Sequence, residues 1–366
     1  MEISIIGLPK SGKTTVFNAL TKAKAQTAAY ASTTLAPNIG VCKVPEPRLQ
    51  SLRKIFQPKK ITPSEVKYVD IAGANKGFGK GEGIGGQFLN YLSNADALLQ
   101  VVRLFEDENV PHIDNSIDPK RDISTMDLEL IFSDLAIIER RLERLEVSLK
   151  SAEPSERDLS LKEKALLQKV KSGLNKDIPT WQQGLTTEEM RNLSNYQFLT
   201  AKPMLVVINI GEDQLTQAYS IEAELRSVYP HRQFEVAALC GEFEMELAEL
   251  SNGEAEEFRT AMGLTEPALD RIIRLSYQLL GLTSFFTTVS AELKAWTVPN
   301  GATALKASGK IHSDIERGFI RAEVVSFDNL DRCGSLAEAR RQGLLRLEGK
   351  SYIVQDGDVI TFLFNI

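Results

Sequence analysis

The chain has 366 residues, 43% of them hydrophobic, enough for a large core divided among more than one domain. A net charge of −6 and an isoelectric point near 5.4 exclude a polycation that coats nucleic acid, while leaving room for RNA contacts where basic residues cluster. Cys42, Cys240 and Cys333 are widely spaced and none has a CxxC partner, which excludes a disulfide framework or a zinc site of that type and fits reduced thiols.

In chain order, the apolar opening at residues 2–6 predicts a buried strand. It lacks the basic flank and long apolar core of a signal peptide. "GLPKSGKT" follows at 7–14 and matches GxxxxGK[ST], with a helix predicted over 13–22. A strand before and a helix after are the context this motif needs. The glycines let successive backbone N–H groups converge on a β-phosphate at the positive end of a helix. Gly7, Lys10, Ser11, Gly12, Lys13, Thr14 and Thr15 form the expected cradle, with Lys13 reaching the β- and γ-phosphates and the Thr14 hydroxyl a Mg²⁺ ligand. "AYASTTLAPN" reads as a switch segment in which Thr34, preferred over Thr33, is a second metal ligand. "VKYVDIAG" predicts a strand ending in Asp70, a metal-side carboxylate, and in Gly73, whose N–H would sense the γ-phosphate. "GFGKGEGIGGQFL" reads as a glycine-rich switch responsive to that phosphate.

"ALLQVVR" at 97–103, "MLVVIN" at 204–209 and "FEVAAL" at 234–239 predict further buried strands; alternation with helices implies a parallel sheet covered on both faces. The longest apolar runs are too short to span a bilayer, so a cytoplasmic protein without membrane contact is expected. Leu135, Ile138, Leu142, Leu145 and Leu149 recur at three- and four-residue steps, and Leu166, Val170 and Leu174 resume the pattern after Pro154, predicting a coiled-coil hairpin. From residue 282 onward, short alternating runs between glycine turns suggest a separate small mixed sheet.

Guanine is commonly read by NKxD after a late strand. Here Asn209-Ile210-Gly211-Glu212 lacks the lysine, and a glutamate replaces the aspartate. The extra methylene shifts the carboxylate by roughly an ångström, enough to spoil a two-point contact. Adenine needs only an amide and a backbone carbonyl, which Asn209 and Ile210 supply, so ATP is expected. Asp213 leaves guanine open through a one-residue shift.

"GLPKSGKTTVFNALT", "APNIGVCKVPEPRL", "VDIAG", "KGEGIGGQFL", "NADALLQVVRLFEDENVPHI", "DLELIFSDLAIIERRLERL" and "NIGED" occur in one order along nearly the whole chain. The chain thereby resembles the Obg-like ATPase (YchF) family. The resemblance implies an α/β P-loop NTPase, an Obg-type G domain, with an inserted helical coiled-coil hairpin and a C-terminal α+β TGS domain. The boundaries expected are 1–130 and 200–281 for the nucleotide domain, 131–199 for the insert and 282–366 for the TGS domain. It also implies ATP and Mg²⁺ as cofactors, slow hydrolysis, and association with the ribosome or a ribosomal subunit in translation or stress control. RNA contact through the TGS domain or the insert is compatible with this, and a monomer suits the family.

Two departures from the family's text stand out. Lys10 replaces an asparagine that in related NTPases helps hold a monovalent cation. Its ammonium either serves as a built-in cation in the transition state or only raises phosphate affinity. Ala74 occupies the position after DxxG where many GTPases place a glutamine that orients water and where the family typically has leucine. His112, which matches a family histidine, either places that water or is a loop histidine paired with an aspartate or glutamate. The candidate catalytic groups are therefore Lys13, Lys10 and His112. His312 reads as structural or interfacial, and His231 carries no chemistry. An ATPase cycling between conformations, an ATP-gated adaptor with incidental turnover, and a GTPase switch stay open as functions.

Overall fold

The computed structural model describes residues 1–22, 37–71, 86–112, 114–150, 153–229, 234–264, 266–289 and 291–365. These form two compact units, one of residues 1–42 and 67–272, the other of residues 43–66 and 273–366. In chain order the elements are β1 (Glu2–Ile6), α1 (Lys13–Thr21), β2 (Pro37–Lys43), α2 (Arg48–Phe56), β3 (Lys60–Thr62), β4 (Glu65–Ile71), α3 (Gly86–Asn94), β5 (Ala97–Arg103), α4 (Pro119–Ser148), α5 (Pro154–Leu174), α6 (Thr187–Leu193), β6 (Met204–Asn209) and α7 (Ala218–Val228). They continue with β7 (Phe234–Leu239), α8 (Gly241–Glu249), α9 (Asn252–Ala261), α10 (Ala268–Leu279), β8 (Leu282–Val289), β9 (Glu292–Pro299), α11 (Ala304–Ile311), α12 (Ser313–Arg317), β10 (Phe319–Ser326), α13 (Phe327–Cys333), α14 (Leu336–Arg341), β11 (Arg346–Glu348) and β12 (Asp358–Phe364).

In the first unit a six-stranded sheet runs β2-β4-β1-β5-β6-β7. The pairings β1–β4, β1–β5, β5–β6 and β6–β7 are all parallel. All seven residues of β5 are buried, as expected of a central parallel strand covered on both faces. One face packs Val206, Ile208, Val236 and Ala238 against Leu225 of α7 and Phe243 and Leu247 of α8. The other packs Ile6, Val69, Ile71 and Leu98 against Leu92 of α3 and Met126 and Leu130 of α4.

The predicted hairpin is present as α4 and α5, closed by Ile131, Ile138, Leu145, Leu167, Val170 and Leu174. It differs from the expected 131–199 segment at its start. Helix α4 begins at Pro119, capped by the Asp118 carboxylate at the amides of Lys120 and Arg121; its part up to Leu130 covers the sheet, and the rest, from Ile131, forms the hairpin. Pro154 opens α5 at a position where its missing N–H costs nothing. The buried Asp134 of α4 accepts from the Leu199 and Thr200 amides, both at 2.8 Å, and from Thr200 Oγ1 at 2.6 Å, tying the insert to the approach to β6.

The second unit holds a mixed sheet ordered β11-β10-β12-β8-β9-β3. Helix α11 covers one face through Ala304 and Ala307, while α2, α13 and α14 cover the other through Leu49, Leu52, Leu330 and Ala339. Residues 43–66, read from sequence as part of the nucleotide domain, belong here instead. Strand β3 adds to β9 in parallel, Lys60 opposite Glu292, and Arg48 donates to Asp356 at 2.7 Å and to Glu46 while lying 5.2 Å from the Phe286 ring centroid.

Candidate functional site

The site forms where the parallel strands end, the usual place for a ligand in such sheets. Register sets Ile5 opposite Asp70 and Arg103 opposite Asn209, so the turn after β1 lies level with the ends of β4, β5 and β6. Three residues of that turn have positive φ: Gly7 (148°), Lys10 (64°) and Gly12 (89°). A Cβ at Gly7 would stand 2.3 Å from the Val101 carbonyl oxygen, and one at Gly12 would stand 2.2 Å from Asn209 Nδ2. Both glycines are therefore required for the turn to curl against the neighbouring strands.

Helix α1 has Gly12 as its N-cap, with no side-chain cap and no acid in its first turn, leaving its first amides as donors for an anion. The Lys13 ammonium folds under the turn and donates to the carbonyls of Gly7 (3.0 Å) and Leu8 (2.9 Å). The residue as a whole is half-buried, but loss of water around the ammonium lowers its pKa to about 8, against the opposing pull of Asp70. The Ser11 hydroxyl is buried in the turn with no hydrogen-bond partner among the described residues. Thr14 Oγ1 donates to Asp70 Oδ2 at 2.9 Å. A hydroxyl that donates to a carboxylate keeps its lone pairs for a cation, and two hard oxygens suit Mg²⁺.

Asn209 is buried at the end of β6. Its Nδ2 donates to the Ser11 carbonyl at 3.2 Å, and its Oδ1 accepts from the Gly241 amide at 3.0 Å. The side chain expected to read a base thus clamps the phosphate turn to the start of α8. Thr15 packs on the same junction, its Cγ2 3.2 Å from where a Cβ on Gly241 would lie. The Ile210 amide is tied to the Leu239 carbonyl at 3.0 Å. Glu212 is exposed, and the Asp213 carboxylate lies back against Gly211, 2.5 Å from a Cβ built there.

Lys10 is exposed and donates to the Pro111 carbonyl at 3.2 Å. The next residue, His112, is buried, with Nε2 2.9 Å from Asp122 Oδ2 and Nδ1 accepting from the Asp114 amide at 3.1 Å. Because Nδ1 accepts, Nε2 carries the hydrogen and donates. Both ring nitrogens are thus engaged, one by the Asp122 carboxylate and the other by the Asp114 amide. Thr33, Thr34, Gly73, Ala74, most of the glycine-rich segment and His231 lie outside the described residues.

Two residues of the site were not singled out in the sequence. The Phe105 ring comes within 3.8 Å of where a Cβ on Gly12 would stand, and Arg103 lies 4.3 Å from the centroid of that ring. "RLF" directly after a buried strand was the available signal.

Uncapped amides facing a hard-oxygen pair across a glycine turn suit a nucleoside polyphosphate with its divalent cation. With the parallel sheet they place the chain among the P-loop nucleotide hydrolases. A family model described as "50S ribosome-binding GTPase" matches residues 2–138, and one described as "Protein of unknown function (DUF933)", the YchF-type GTPase C-terminus, matches residues 282–365. The chain is 41% identical over 364 residues to the ribosome-binding ATPase YchF of Bacillus subtilis (strain 168), spanning 99% of this chain and 98% of that protein. It is 39% identical over 363 residues to the protein of the same name from Escherichia coli O157:H7, with equal coverage. The solved structure of the Schizosaccharomyces pombe YchF GTPase superposes with a TM-score of 0.85 at 28% identity, covering 99% of this chain and 97% of that one. The chain belongs to the YchF family of P-loop NTPases. Among the described residues no helix is long and apolar enough to cross a membrane.

Proposed function

We propose that the protein is a Mg²⁺-dependent ATPase of slow turnover that couples its nucleotide state to ribosome binding, in translation or stress control. The observation that carries the nucleotide part is the turn itself: two obligatory glycines, Lys13 beneath them, and the Thr14–Asp70 pair 2.9 Å apart. Thr14 and Asp70 would hold the metal, with Thr34 as the further ligand expected from sequence. Mg²⁺ bound there supplies charge neutralisation of the phosphates. Lys13 leaves the Gly7 and Leu8 carbonyls for the β- and γ-phosphates. Preference for ATP over GTP rests on the glutamate at 212 and on its exposure, since the guanine-reading aspartate has no counterpart at that position. Lys10 lies at the turn as an added positive charge, and Gly73 is the proposed amide toward the γ-phosphate.

The ribosome as partner follows from the names of the relatives. Slow turnover follows from Ala74 and from the engagement of His112, which leave no group assigned to orient water. The same two features favour a second reading, an ATP-gated adaptor in which hydrolysis is incidental. Steady-state hydrolysis with and without ribosomal subunits separates them. Stimulation by about tenfold or more supports the coupled ATPase, whereas ATP-dependent ribosome binding without stimulation supports the adaptor.

A further inference from the structure

Arg103 ends the central strand β5 and is among the largest buried side chains of the molecule, 2% exposed. A buried guanidinium is expensive unless its charge and donors are met. No carboxylate lies within ion-pairing distance of it among the described residues. Its bonds instead go to one loop: Nε to the Phe105 carbonyl at 3.1 Å, Nη1 to the Val110 carbonyl at 2.6 Å, and Nη2 toward the Asp107 carbonyl at 3.5 Å. Burial lowers its pKa more than the charges of Asp107 and Asp122 raise it. A planar fork with five donors is the side chain that can serve carbonyls spread over six residues; an ammonium is a single point.

That loop touches residues of the nucleotide site at three places. The Leu104 and Phe105 amides donate to the Asn209 carbonyl at 2.8 and 3.1 Å, the Phe105 ring stands beside Gly12, and the Pro111 carbonyl receives the Lys10 ammonium. We propose that Arg103 is a positioning residue of the site: by gathering the carbonyls of Phe105, Asp107 and Val110 it fixes the 104–112 loop, and through it both the Phe105 ring and Lys10. This rests on the reading of the turn as a nucleotide site.

The test compares ATP hydrolysis by wild type, Arg103→Lys, Lys10→Ala and the double variant, with melting temperatures measured without nucleotide. Arg103→Lys keeps the charge and loses the fork. It should raise KM for ATP about tenfold and lower turnover as far as Lys10→Ala does, while the melting temperature stays within a few degrees. Lys10→Ala should impair turnover in the wild-type background and add little on top of Arg103→Lys, because the loop that holds Lys10 is already released. Unchanged KM, or strictly additive effects of the two substitutions, would overturn the proposal. So would an Arg103→Lys protein that does not fold, which would assign the guanidinium to core stability instead. Wild-type protein that binds neither ATP nor GTP would refute the nucleotide reading itself, a result distinct from an Arg103→Lys variant that behaves as wild type.

Discussion

Gly12→Ala perturbs the site in a way that can be worked out from its geometry. An L-residue at φ 89° costs about 1–2 kcal/mol of backbone strain. The new Cβ would also stand 2.2 Å from Asn209 Nδ2, so the amide must move and lose its bonds to Ser11 and Gly241, about 1 kcal/mol net each. The expected total is about 3–4 kcal/mol, against about 2 kcal/mol for Asn209→Ala alone. In the double variant the clash is gone and the two bonds are lost only once, so the cost should be about 3–4 kcal/mol, not the sum. Native-state hydrogen exchange of the peptides covering β1–α1 and β6–α8 gives local opening free energies for all four proteins without assuming that the two units unfold together. A coupling of about 2 kcal/mol is the predicted result. Additivity within about 0.5 kcal/mol would refute the clamp, because Asn209 would then not be what a side chain at residue 12 displaces.

Three further outcomes are expected. Lys10→Asn should remove a lysine from a backbone conformation better tolerated by asparagine and create potassium activation of hydrolysis absent from wild type; strong potassium activation of the wild type would defeat the built-in-cation role. His112→Ala should leave turnover within about threefold but lower the melting temperature, since it removes the buried bonds to Asp122 and the Asp114 amide, worth about 1–2 kcal/mol; a loss of turnover of a hundredfold would restore the water-placing role. Burial raises the Asp134 pKa to about 6 against the opposing pull of its bonds from Thr200 and Leu199, above the unfolded value of about 3.9. The folded state therefore holds the extra proton, and the group's stabilisation is present below about pH 4 and lost as pH rises through about 6, by about 3 kcal/mol at most. Asp134→Asn should abolish that slope in urea denaturation; a wild type and variant with parallel pH profiles would contradict it.

Much of the first unit was legible because its signals are local. Strands β5, β6 and β7 are predominantly apolar runs and fall where those runs stand, and the glycine turn announces itself by residue type. What escaped was non-local. In strand β2, PNIGVCK, the apolar residues are separated by Asn38 and Gly40 and followed by Lys43, so no continuous apolar run marks it. Strand β3 is three residues long and acquires its identity from Glu292–Lys294, far along the chain; likewise Arg48 and Asp356 meet across 308 positions. No periodicity within 43–66 could report that it belongs to the second unit's sheet. At the site, residue types indicated which side chains assemble but not how they are used. Asn209 was legible as a site residue, yet its amide clamps two backbone segments, and His112 was legible as a titratable group, yet α4 and its own loop each supply a partner to one ring nitrogen. Arg103 looked like the polar end of a strand; its burial depends on carbonyls from a loop with no regular pattern.

The central claim is that this turn binds a purine nucleotide with Mg²⁺ and that the altered motif after β6 favours ATP. Titration calorimetry with ATP and with GTP, each in the presence of Mg²⁺, measures this directly. ATP binding tighter than GTP by about tenfold or more, about 1.4 kcal/mol, is the predicted result. Equal or tighter binding of GTP would contradict it.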